Sequence, residues 1–316
     1  QGTVTATPQT AAEKTEIILT ATAKDGYNFT GFTVKDAEGN DVTVTDGKFT
    51  MPASNVIVTA TFTAIPYNIT VTNDGKGTAT AVPNPATVGQ TVTLTEEANE
   101  GYKLKEYTSD DVTVSEGKFT MPAKAVTVNV AFAPIGYTVQ FNKNTTADVV
   151  GSLSDVSALY DTDVTTPNIT RTGYTLVGWA TTADGEKLES VKNLTTTDGA
   201  TIALYAVWQA KKINVTLDAN GGKIENQDTK AITPAFDAAY GELGTPVREG
   251  YEFKGWNTVQ TPTEETSGVT VTAETKVTHA EDHSLYAQWE AKKYTITFMD
   301  SDGETQLNAI TADFGS

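Results

Sequence analysis

The segment GKFTMPA occurs twice, at 47–53 and 117–123, and each copy runs into an alternating apolar strand that closes on Phe62 or Phe132. Farther on, GYTLVGW (173–179) is echoed by GYEFKGW (250–256), and LYAVW (204–208) by LYAQW (285–289). Copies recurring at a period of roughly 70–80 residues read as an array of small units rather than as one catalytic domain. Function then has to come from reach, spacing or a repeated binding surface.

The opening strands, YNITV (67–71), YTVQF (137–141), INVTL (213–217) and YTITF (294–298), alternate apolar and polar residues. A period of two with β-branched and aromatic side chains marks a strand with one buried face. Turn chemistry follows at 73–75 (NDG), 220–222 (NGG) and 300–303 (DSDG), which predicts hairpins. The middle strand reads Gly-Tyr-x-apolar-x-Gly-aromatic at 26–32, 173–179 and 250–256. Its last aromatic is one place out of phase, so a bulge is expected at Gly31, Gly178 and Gly255, where glycine can take a positive φ. The second unit has Glu106 at that place and lacks the glycine.

The closing strands alternate again: Val56, Val58, Ala60 and Phe62; Val126, Val128, Val130 and Phe132; Leu204, Ala206 and Trp208; Leu285, Ala287 and Trp289. This pattern assigns Phe62, Phe132, Trp208 and Trp289 to the core, with Trp179 and Trp256 joining them through the bulge. Helical signal is thin, confined to 11–14, 190–194 and 234–239. The expected fold is therefore mostly β, with at most one short helix in a unit. Connectors at 64–66, 133–136, 210–212 and 291–293 bound units at 1–64, 65–135, 136–210 and 211–291, with 292–316 opening a further one. Residues 2–8 align with 77–83, so the first unit lacks a counterpart of the strand at 67–71. Strand addition between molecules and units cut by the segment boundaries both fit that pattern, and the latter is the plainer expectation.

Composition removes several functions. There is no cysteine, hence no disulfide, thiol catalysis or Cys-based zinc site. Forty acidic against 22 basic residues give a net charge of −18, which repels nucleic acid. No apolar run approaches the ~20 residues of a membrane helix, so no membrane insertion is expected. The histidines, His279 and His283, flank Asp282 in an acidic stretch that reads as a solvated loop, and no metal is expected there. The DSDGE run at 300–304 places Gly303 fourth and Thr311 twelfth, where an EF-hand needs Gly sixth and Glu twelfth. The acidic pairs Glu96-Glu97 and Glu264-Glu265 have no partner for acid–base work. No cofactor and no enzyme activity are expected.

A YTVxF opening strand, a central GYxFxGW and a terminal LYAxW resemble the Listeria–Bacteroides repeat, the internalin B-type repeat of bacterial surface proteins. The resemblance covers 137–209 and 213–290, with 294–316 as the opening of another copy, and the two earlier units resemble divergent relatives of the repeat. It implies a small α+β, β-grasp-like fold strung in tandem as an elongated array on secreted or wall-attached proteins, without a catalytic site. The expected role is a spacer or stalk segment of an extracellular bacterial cell-surface or cell-wall protein, presenting an adhesive domain and itself monomeric. The alternative is a repeated binding module for a host glycan or surface protein. Tyr205 and Tyr286, on the outward parity of the closing strands, would then be the contact residues.

Overall fold

A computed structural model describes residues 1–316. The chain is all β, with no helix and several small sheets in tandem. The three stretches with helical signal are turns at 11–14 and 234–239 and irregular backbone at 190–194 instead. Each contains a residue in the left-handed region, Lys14 (φ 68°), Asn193 (φ 52°) and Asp237 (φ 63°), which a right-handed helix cannot accommodate.

The backbone divides into two compact units. The first comprises Gln1–Tyr137 with Ser157–Thr162 and Lys192–Ala200; the second comprises Thr138–Val156, Asp163–Val191 and Thr201–Ser316. In the first unit, the first repeat has a sheet of Gly2–Thr7, Glu16–Ala23 and Lys48–Thr50 and a second sheet of Asp41–Val42, Tyr27–Lys35 and Ile57–Ala64. The second repeat reproduces the first sheet as Gly77–Val82, Thr91–Ala98 and Lys118–Thr120. Its other sheet has Tyr102–Thr108, Val126–Pro134 and, parallel to the last of these, the opening strand Ile69–Asn73.

In the second unit, the third repeat centres on Thr201–Ala210, which runs parallel to Gly136–Asn142 and antiparallel to Tyr174–Ala180. The fourth has a five-stranded sheet in which His283–Ala291 lies parallel to Val215–Asp218 and antiparallel to Tyr251–Asn257. Alternation along these strands buries one face: Val215, Leu217, Leu285 and Ala287 are all fully inaccessible. A hairpin of Lys293–Met299 and Gln306–Asp313 follows.

The middle strands all bulge. Register steps fall between Phe29 and Gly31, Leu104 and Glu106, Leu176 and Gly178, and Phe253 and Gly255. Glu106 takes its step without a positive φ, so the plan requires the extra residue and not a glycine. Gly255, at φ 121°, lies well inside the glycine-favoured region, whereas Gly31 (158°) and Gly178 (153°) approach extended backbone.

The hairpin expectation needs correction at two of three turns. At 73–75 the chain turns a corner between sheets: Ile69–Asn73 pairs with Val126–Pro134, and Gly77–Val82 with Thr91–Ala98. After Val215–Asp218 a longer loop intervenes before its antiparallel partner, Thr229–Ile232. Only the 300–303 turn closes a direct hairpin.

Trp179, Trp256 and Phe132 are buried, but Phe62, Trp208 and Trp289 are half-buried, short of the expected core placement. The two tryptophans stand at the rim because their indole N–H groups reach loop carbonyls, Trp208 that of Lys143 (2.8 Å) and Trp289 that of Ala219 (2.9 Å). Phe62 lies on a closing strand with no second neighbour to cover it.

Candidate functional site

Tyr205 and Tyr286 each sit in the middle of a sheet. Tyr205 is opposite Asn142 on one side and Ala180 on the other, and Tyr286 is opposite Asp218 and Asn257. Both are half-buried, which restricts the ring face available to a ligand.

A cavity of about 300 Å³ opens in the fourth repeat, lined in part by Tyr240, Lys276, His279, His283 and Ser284. His283 is its hydrogen-bonding hub, with Nε2 2.7 Å from the Tyr240 hydroxyl and Nδ1 2.9 Å from the Glu281 carbonyl. Burial pushes the Tyr240 phenol above its ordinary pKa. His279 meets His283 edge to face at 5.2 Å. Asp282 is occupied elsewhere, accepting the backbone and side-chain N–H groups of Asn214 at 2.9 Å each; these bonds hold its carboxyl below the usual range. No three His, Asp or Glu side chains converge as metal ligands would. Ser284 is not hydrogen-bonded to either imidazole.

The perturbed carboxylates act as loop staples. Asp74 accepts the Phe132 N–H at 2.9 Å, and Asp111 accepts the Thr127 N–H at 2.9 Å and Lys124 Nζ at 2.7 Å. Both are lowered by those bonds. Asp302 is lowered to about 2 by the hydroxyl and N–H of Thr305 and the N–H of Glu304. On the middle strand of the second repeat, burial and then Glu96 push the Tyr107 phenol up to about 12.

The feature common to the second, third and fourth repeats is the pairing of their terminal strands. In each, the first and last strands are parallel neighbours: Ile69 to Asn73 beside Val126 to Val130, Thr138 to Asn142 beside Thr201 to Tyr205, and Val215 to Asp218 beside His283 to Tyr286. Tension on the two ends of such a repeat pulls these strands past each other, so the bonds between them share the load instead of opening in turn. The alternating sequence of the opening strands had indicated the strands but not this partnership.

Residues 1–66 and 67–136 each match the divergent InlB B-repeat domain, and residues 137–207 and 214–288 each match the Listeria–Bacteroides repeat domain. The chain belongs to the B-repeat families. These B-repeats occur in bacterial surface proteins and are generally non-enzymatic. Two relatives come from Evansella cellulosilytica. One, provisionally named a Gly-rich membrane protein, is 30% identical over 206 residues, 63% of this chain and 22% of its own length. The other, provisionally named a membrane protein, is 30% identical over 115 residues, 36% of this chain and 16% of its own. The B-repeat array thus spans about a fifth of the length of these relatives. The structure of the Bacillus anthracis TIE protein aligns over 92% of this chain and 75% of its own, at 8% identity and a TM-score of 0.30, too low to carry an argument. No helix here is long and apolar enough to cross a membrane.

Proposed function

We propose that this B-repeat array is a load-bearing spacer in an extracellular bacterial cell-surface protein, presenting an adhesive domain carried elsewhere in the parent chain. The observation that carries this reading is the parallel pairing of first and last strands in three successive repeats. Short connectors and a net charge of −18, which disfavours self-association, fit the same role. Small-angle scattering tests the spacer directly. The expected maximum dimension is that of repeats laid end to end, and a compact globule would sink the proposal. The alternative, a glycan- or protein-binding module acting through Tyr205 and Tyr286, has weaker support because both rings are half-buried. Glycan-array binding that is lost on Tyr286→Ala would favour it.

A further inference from the structure

Each repeat ends its Gly-Tyr turn against the repeat that follows, and the contact recurs four times with the same parts. The glycines Gly26, Gly101, Gly173 and Gly250 all hold positive φ, between 72° and 85°. Against them lie, in order, Val88, Tyr160, Phe236 and Phe314 of the next repeat, close enough that a Cβ on any of these glycines would collide with that side chain. The residue after each docking side chain is again left-handed: Gly89 (82°), Asp161 (62°), Asp237 (63°) and Gly315 (80°). A left-handed corner thus aims the side chain at the glycine.

The connector residue between the two is held on both sides. Ile135 donates its N–H to the Gly101 carbonyl (2.9 Å) and accepts that of Tyr160 (3.0 Å). Lys211 does the same between Gly173 and Phe236, and Lys292 between Gly250 and Phe314, all at 2.9 Å. At the first joint Ile65 donates to Gly26 (2.8 Å), and the following Pro66 and Tyr67 pair with Thr87 and Ala86.

Three joints add an aromatic layer. The turn tyrosines meet the docking rings edge to face, Tyr102 with Tyr160 at 6.1 Å, Tyr174 with Phe236 at 5.7 Å and Tyr251 with Phe314 at 5.9 Å. The hydroxyls of Tyr102 and Tyr174 donate to Asp161 (2.7 Å) and Asp237 (2.9 Å). Arg171 and Arg248 lie over the faces of Tyr174 and Tyr251 at 3.7 and 3.9 Å. The first joint has Val88 and no ring.

We propose that the Gly-Tyr turn of a B-repeat is a docking surface whose partner is the corner of the next repeat, and that a ring at that corner couples the two so that they open together. The partner is defined by chemistry: a bulky apolar side chain followed by a residue able to hold positive φ. Val88 makes the first joint the weakest of the four. This coupling does not depend on the spacer role.

Hydrogen exchange on the full chain tests it. In the native protein the amides of Lys211 and Phe236 should be protected like those of the neighbouring strands. Gly173→Ala, which puts a Cβ where the Phe236 ring sits, should speed exchange at both by about tenfold or more. Gly199→Ala strains an identical φ of 74° in open space and should leave both unchanged. Val88→Phe should slow exchange at Ile65 several-fold, a gain that requires no destabilised variant. Unprotected connector amides in the native chain, equal effects of the two glycine variants, or no slowing by Val88→Phe would each overturn the proposal.

Discussion

The first and second repeats share GKFTMPA and the same three-stranded first sheet, yet they bury their closing strands differently. Val126, Val128 and Val130 are at most 2% exposed, whereas Val56 and Val58 are only partly covered. What separates them is one strand. Ile69–Asn73 lies along the second repeat's closing strand, and Asn84 pins it by accepting the Ile69 N–H (3.0 Å) and donating to the Ile69 carbonyl (2.7 Å). In the first repeat Gln9, at the position equivalent to Asn84, instead lines an open groove of about 360 Å³ with Ile17, Phe49, Met51, Val56 and Val58. The closing strand of the second repeat is core where its parallel neighbour lies alongside, so the pair proposed to bear load is also the pair that completes the core.

The largest expected effect comes from truncating the aromatic that ends each closing strand. Phe132→Ala should destabilise the second repeat by about 3–5 kcal/mol and Phe62→Ala the first by only about 1–2 kcal/mol, because Phe62 is already partly in water. Denaturant titration followed by repeat-specific NMR signals would separate the two, and equal losses would break the comparison. Asn84→Ala should cost about 1–2 kcal/mol, since it leaves both polar backbone groups of Ile69 without their partner. Gln9→Ala should remain within about 0.5 kcal/mol in the same titration.

The smallest effect is a pH dependence. The Phe132 N–H, more than any other group, holds the Asp74 carboxyl below its reference value of 3.8. A folded-state pKa below the unfolded one contributes stability above the unfolded value, and that contribution is lost as pH falls from 3.8 through the folded value. Melting curves on acidification should therefore show the second repeat losing a small increment that Asp74→Asn abolishes. Unchanged acid sensitivity in that variant would show that the staple contributes nothing.

The strands were legible because period-two alternation survives copying, and the order of opening, middle and closing strands follows from it. The parallel pairing was less legible, since turn chemistry after Asn73 and Asn220 pointed to hairpins where the chain instead changes sheets or loops out. Parity assigned Trp208 and Trp289 inward but could not show that the end of the strand lies at the rim. Bulging at Glu106 was hidden because the expectation rested on glycine, whereas the step needs only an extra residue. The joints left almost no periodic trace. Val88, Tyr160, Phe236 and Phe314 are of three types and sit in turns, and the corner at Asp237 had looked helical in sequence.

Single-molecule pulling on the full chain tests most directly whether the terminal strand pair bears load. The second, third and fourth repeats, joined through rings, are expected to yield only at high force, releasing roughly 70 residues for each repeat opened at ~3.5 Å per residue, about 240 Å per repeat. Within the segment 1–316 the closing strand of the first repeat has no parallel partner, and in that segment it should open at distinctly lower force. Four repeats yielding at the same low force, or a first repeat as strong as the second, would contradict the load-bearing role of the pair.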